Sequence, residues 1–155
     1  MDSKIAVFPG TFDPITLGHY DIIIRSLNLF DKIVVAIGKN SEKKHMFSIH
    51  KRKKWIQKTF LDFPKIEIDL FKGLTTSFCI KKKAKFILRG IRNQFDFEFE
   101  KNIIYVNREL NKKNCIETIF ILSSYKNSHI SSRAVRDIIR NKGDYTIFVP
   151  PYVRV

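Results

Sequence analysis

Little of this chain's chemistry sits in single residues, so spacing decides what they can do together. The richest segment is Pro9-Gly10-Thr11-Phe12-Asp13-Pro14-Ile15-Thr16-Leu17-Gly18-His19. Gly10 permits a tight turn, and Gly18 lets a ligand approach the backbone where a helix begins. Free N–H groups at such a helix start form an anion site, and His19 in the first turn can donate a hydrogen bond to a phosphoryl oxygen there. Turned toward a ligand, His19 is expected to add little to the stability of the fold. Further along, Lys43 lies in a polar loop able to fold over the same site. Arg89 and Arg92 flank Gly90 and Ile91, so two guanidiniums could fork onto phosphates. Glu100 follows on a helix. Ser131 and Ser132 are N-cap residue types that would offer a second helix N-terminus to a polyphosphate. Each also has an ordinary reading: turn residue, solvated lysine, surface ion pair, helix carboxylate, cap. Neither Cys79 nor Cys115 belongs to a CxxC or His-rich spacing, so both read as buried, reduced thiols. No covalent nucleophile with a partner is evident.

Positioning these groups falls to a regular alternation of apolar runs and amphipathic stretches. The strand-like runs are 5–8, 32–37, 66–70, 86–88 and 118–122, rich in Ile, Val and Phe. Helical spacing predicts a helix over 19–30, with Ile22, Ile23, Leu27 and Phe30 on one face. A second follows Ser48 and carries Trp55, Ile56, Thr59 and Phe60. Others span about 76–83 and 96–110, and a last one is capped by Ser131 or Ser132 and ends at Asn141-Lys142-Gly143. Continuous β-branched strands separated by helices indicate an α/β fold with a doubly wound, five-stranded parallel sheet. Ligands of such sheets bind beyond the carboxyl ends of the strands. The unusual segments 9–19, 39–46, 89–92 and 123–132 all fall at those ends.

The composition narrows the classes. The chain has 155 residues, 44% hydrophobic, enough for one domain over 1–155 with its own core. No apolar run approaches the ~20 residues of a membrane span, and the expectation is a cytoplasmic protein. Lys and Arg exceed Asp and Glu by 29 to 15, giving +14. Such charge attracts nucleic acids and small polyanions alike. The lysines, however, fall in separate segments (51–54, 81–85, 112–113), so no specific nucleic-acid partner is expected.

Thr16-x-Gly18-His19 resembles the (T/H)xGH signature of the nucleotidyltransferase superfamily, and residues 9–19 resemble the opening of the bacterial phosphopantetheine adenylyltransferase family. Ile130-Ser131-Ser132-Arg133-Ala134-Val135-Arg136 is similar to the superfamily's ISSTxxR. Lys43-Lys44-x-Met46-Phe47, Arg89-Gly90-Ile91-Arg92 and Asp96-Phe97-Glu98-Phe99-Glu100 resemble that family's motifs in the same order, so the likeness covers nearly the whole chain. It implies a Rossmann-like fold and transfer of the adenylyl group of ATP to 4′-phosphopantetheine, giving dephospho-coenzyme A and pyrophosphate. By the same resemblance, Thr11, Lys43, Thr75 and Arg89 would contact phosphopantetheine. Thr11, Phe12, His19, Gly90, Ile91, Arg92 and Glu100, with Asn127, Ser128, His129, Ile130, Ser131, Ser132 and Arg133, would contact ATP. His19, Lys43 and Arg89 would be catalytic, acting by positioning and charge stabilisation in a direct in-line attack. Mg²⁺ would ride on the ATP phosphates with no protein-built metal site, coenzyme A would inhibit, and the family assembles as hexamers. Arg133 stands where the family has a small hydroxyl residue, and Asn127-Ser128-His129 where it often has an aromatic one. Rival readings are a sibling adenylyl- or cytidylyltransferase, a nucleic-acid-binding protein and a non-catalytic nucleotide-binding module. Thr at position 16 with Arg89-Gly90-x-Arg92 opposes the first, scattered lysines the second, and His19 the third.

Overall fold

Strands with few polar residues need cover on both faces, and the computed structural model, which describes residues 2–155, provides it. Five strands, β1 (Ile5–Gly10), β2 (Lys32–Gly38), β3 (Ile66–Phe71), β4 (Phe86–Ile91) and β5 (Glu117–Leu122), pair in parallel in the order β3-β2-β1-β4-β5. Five helices connect or follow them: α1 (Leu17–Ser26), α2 (Ile49–Thr59), α3 (Thr75–Lys81), α4 (Gln94–Leu110) and α5 (Ser132–Arg140). The order reverses at β1 and β4, which places a crevice at their carboxyl ends.

Alternation along the central strands feeds two cores. Ala6, Phe8, Ile33, Val35 and Ile37 pack with Ile22 and Ile23 of α1, Trp55 and Ile56 of α2 and Val135 of α5. Val7, Val34 and Ala36 point the other way, onto Phe78 and Cys79 of α3. Burial pushes the Cys79 thiol up to about 12, but the expectation of a second buried thiol is corrected: Cys115 is exposed, because it lies in the connection between α4 and β5 and outside both cores. The fold class is therefore the expected one.

Two boundary differences from expectation bear on the core and the site. The first helix stops at Ser26 because the chain tightens there, Leu27 N–H donating to the Ile24 carbonyl and Leu29 N–H to that of Ser26. Phe30 reaches the core from the loop that follows instead of from the helix. Strand β4 continues through Arg89, Gly90 and Ile91, since β5 keeps offering ladder partners as far as Leu122. Of the two expected cap candidates for α5, Ser131 is the one used, its hydroxyl accepting from Ala134 N–H at 3.1 Å. Helix α4 buries none of its residues. Phe95, Phe99, Ile103, Val106 and Leu110 form one exposed apolar stripe along it.

Candidate active site

Two clefts open at the crevice. The first, of about 380 Å³, lies between the end of β1, the start of α1, the end of β4 and the start of α5. The second, of about 650 Å³, lies between the same strand ends, the 39–43 loop, the start of α3 and the middle of α4. Pro9, Gly10, Thr11, Arg89, Phe99 and Glu100 line both. One wall therefore serves two compartments.

The β1–α1 loop that ends this wall is held by buried polar groups. The Asp13 carboxylate accepts from Met46 N–H (2.8 Å) and Phe47 N–H (3.0 Å). Arg52 donates to the Thr11 carbonyl, Arg136 to that of Asp13, and Ser132 to that of Pro14. Phe12 is 2% exposed and takes φ +50°, a left-handed conformation that costs a non-glycine residue energy and persists only where surroundings dictate it. Its ring meets that of His19 edge-on at 5.0 Å.

His19 is tied to its own helix start. Thr16 N–H donates to Nδ1 at 3.0 Å, and the Thr16 hydroxyl accepts from His19 N–H, completing a capping box. With Nδ1 an acceptor, the hydrogen-bond network assigns the proton of the neutral ring to Nε2. Burial among Phe8 and Phe12, with the nearby Arg89 and Arg92 charges, lowers the pKa from 6.5 to about 4. At neutral pH His19 is an uncharged donor. The expectation that it adds little to stability is corrected: it supplies half of a helix cap.

Arg89 is equally constrained. Nη1 donates to the Pro9 carbonyl at 2.8 Å, Nη2 to Glu100 Oε1, and Nε is buried without a partner. The guanidinium is thus aimed, not a free fork. Arg92 pairs with Asp96 (Nε to Oδ2, 3.2 Å), whose other neighbours include the Arg92 N–H, and these arginine contacts hold the Asp96 carboxyl below its ordinary range against the opposing effect of its burial.

Most of the sequence-predicted residues line one cleft or both, and five line neither. Thr11, Lys43, Thr75 and Arg89 all line the second cleft. Thr11, Phe12, His19, Gly90, Arg92, Glu100, Ile130, Ser131 and Ser132 line the first. Ile91, Asn127, Ser128, His129 and Arg133 do not. Asn127 is buried, the Ser128 hydroxyl donates to the Tyr125 carbonyl, His129 packs edge-on to Phe148, and Arg133 is exposed. Asp13, Asp96, Phe99, Ser123 and Arg136 line the first cleft although none is among the residues expected to bind. Arg136 closes the ISSTxxR-like motif, so its type and place were the available signal.

A parallel doubly wound sheet whose first strand runs into a Thr-x-Gly-His helix start defines the nucleotidyltransferase class. Residues 7–138 match the cytidylyltransferase-like family. The chain is 57% identical over 150 residues to the phosphopantetheine adenylyltransferase of Flavobacterium psychrophilum and 55% identical to that of Flavobacterium johnsoniae, with 97% of each chain covered in both comparisons. It belongs to the phosphopantetheine adenylyltransferase family of cytidylyltransferase-like proteins. A bifunctional NMN adenylyltransferase/ADP ribose pyrophosphatase from Francisella tularensis shares the fold, with a TM-score of 0.72 and 17% identity over 96% of this chain and 45% of that one.

Proposed function

We propose that this chain joins the adenylyl group of ATP to 4′-phosphopantetheine, with ATP in the first cleft and the acceptor in the second. The observation that carries this reading is the shared wall. A two-substrate transfer needs both reacting groups in one place, and Thr11 and Arg89 face both compartments. An acceptor phosphate oxygen attacks the α-phosphorus in line; that bond forms as the bond to the bridging oxygen breaks, and pyrophosphate leaves with the electron pair. An ionised phosphate already is a nucleophile, so the protein's part is positioning and charge stabilisation.

On the ATP side, the α1 and α5 starts direct N–H groups at phosphates, and His19 Nε2–H donates to a non-bridging oxygen of the α-phosphate. On the acceptor side, Lys43 and Arg89 pair the acceptor's phosphate, and Thr75 lies farther along the cleft. Among the described residues no group of three His, Cys, Asp or Glu side chains could hold a metal ion, and Asp96 and Glu100 already accept from arginines. The residues fit Mg²⁺ entering as the ATP complex on phosphate and water oxygens, where it offsets triphosphate charge.

Residues 1–155 act as one unit in this reading, in the cytoplasm. The α4 stripe is the surface a hexamer would cover, and coenzyme A, which contains the product, would compete for both clefts. No helix among the described residues is long and apolar enough to cross a membrane. Pyrophosphate release with ATP is expected with phosphopantetheine and not with nicotinamide mononucleotide or glycerol phosphate. Equal turnover of nicotinamide mononucleotide would overturn the acceptor.

A further inference from the structure

Arg52 is the most buried charged side chain outside the two clefts that the mechanism leaves unused. It sits in α2, 2% exposed, and it makes no ion pair among the described residues. Its Nε donates to the Phe47 carbonyl at 3.0 Å and its Nη1 to the Thr11 carbonyl at 2.6 Å. From the other side, Asp13 accepts the Met46 and Phe47 N–H groups. Phe47 is thus gripped by its N–H and by its carbonyl, and both grips lead back to residues 11–13. Burial disfavours the Arg52 cation, the nearby Asp13 carboxylate offsets only part of that penalty, and an apolar side chain would fill the same space more cheaply. An arginine there needs a reason that packing does not supply.

The two loops it joins provide one. Thr11 belongs to the β1–α1 loop, and Lys43 lies four residues before Phe47, on the loop that walls the second cleft. We propose that Arg52, with Asp13 as its counterpart, is a positioning residue that fixes the 43–47 segment against Thr11, so that Lys43 and Thr11 converge on the acceptor's phosphate. This rests on the two-cleft reading above. Arg52 touches neither substrate; it acts through Lys43. Arginine is required because one planar guanidinium reaches two carbonyls at once, while the single ammonium of lysine holds one point.

The test is a double-mutant cycle on the full chain. Arg52→Lys should raise the KM for phosphopantetheine about tenfold, as misplacement of a positioned group does, while the KM for ATP and the far-UV circular dichroism stay near those of the parent. In the Lys43→Ala background the same change should move that KM less than about twofold, because groups acting through one another are non-additive. A structural role alone would give equal fold-changes in both backgrounds, or raise both KM values together, and either result overturns the proposal. If Arg52→Lys is not recovered folded, Arg52→Gln, which removes the buried charge and cannot reach both carbonyls, enters the same cycle and supports or overturns the proposal by the same fold-changes. Failure of the unmutated chain to use phosphopantetheine would instead reject the underlying reading, and the two failures are told apart by that control.

Discussion

At the scale of single residues, His19 concentrates two duties in one ring. Nδ1 closes a helix cap, and the ring lines the first cleft, where Nε2–H is proposed to donate to ATP. His19→Ala should therefore lower kcat by about 10²–10³, the usual loss for a donor aimed at developing charge, with only a few-fold change in the KM for ATP. It should also lower stability by about 0.5–2 kcal/mol, as removal of a cap does. His19→Gln restores the cap, because Gln is a natural capping-box partner, and should recover the stability but little of the rate. Chemical denaturation and steady-state kinetics on the same preparations separate the two effects. The ring's pKa makes a further claim. Between about pH 4 and 6.5 the unfolded chain's imidazole is protonated and the folded one is not. The unfolded state binds more protons there, so this contribution to stability is complete above 6.5 and is lost as pH falls through 4. Imidazole ¹⁵N shifts of the free protein should show the Nε2–H tautomer down to about pH 5, one unit above that midpoint; an imidazolium at neutral pH would refute the assignment.

At the scale of elements, the β1–α1 connection is built around a ring with no spare room. A Cβ on Gly10 would lie 2.9 Å from Phe12 Cε2, and that ring is already enclosed and in contact with His19. Gly10→Ala should cost about 1–3 kcal/mol, as overpacking does, and should slow turnover because the displaced ring carries His19 with it. A denaturant midpoint equal to that of the parent would show that Phe12 can shift freely. This connection also marks how far sequence alone reached. The five strands were legible because each is a short apolar, β-branched run bounded by polar residues, and Ser48 was legible as a cap by residue type. Placement of Thr11, Lys43 and Arg89 at one crevice followed from their positions after strands. Less legible were tertiary choices: Arg89 bound to Glu100 across 11 residues, Asp13 reaching the 46–47 amides, and Ser128 and His129 turning away from the cleft. Nothing local distinguishes an arginine that will be buried from one that will be solvated, and in Lys51-Arg52-Lys53-Lys54 no sequence signal marks Arg52 as the buried cation.

At the scale of the molecule, the +14 charge is spread instead of focused. Helix α2 covers one face of the sheet and α3 the other, so Lys51, Lys53 and Lys54 lie on the opposite side of the sheet from Lys81, Lys82 and Lys83. Lys82 is engaged by Glu67 and Asp69, and Lys85 by Asp2. No long basic track results. Duplex DNA of any sequence should bind with a dissociation constant of about 10⁻⁴–10⁻⁶ M at physiological salt, falling off steeply as salt rises. Nanomolar, sequence-selective binding in a filter assay would reopen the nucleic-acid reading.

Trp55 is the chain's single tryptophan, and its place gives the protein an optical voice. The indole is 5% exposed and meets the Phe47 ring edge-on at 4.9 Å, with Lys51 Nζ 5.2 Å from its centroid. Phe47 is the residue held between Asp13 and Arg52. Emission excited at the red edge of the indole band, where the five tyrosines do not absorb, therefore originates at one known point, next to the clamp that joins the two loops. Any ligand that loosens or tightens the clamp alters the surroundings of that one fluorophore, and light alone reports the event without a label.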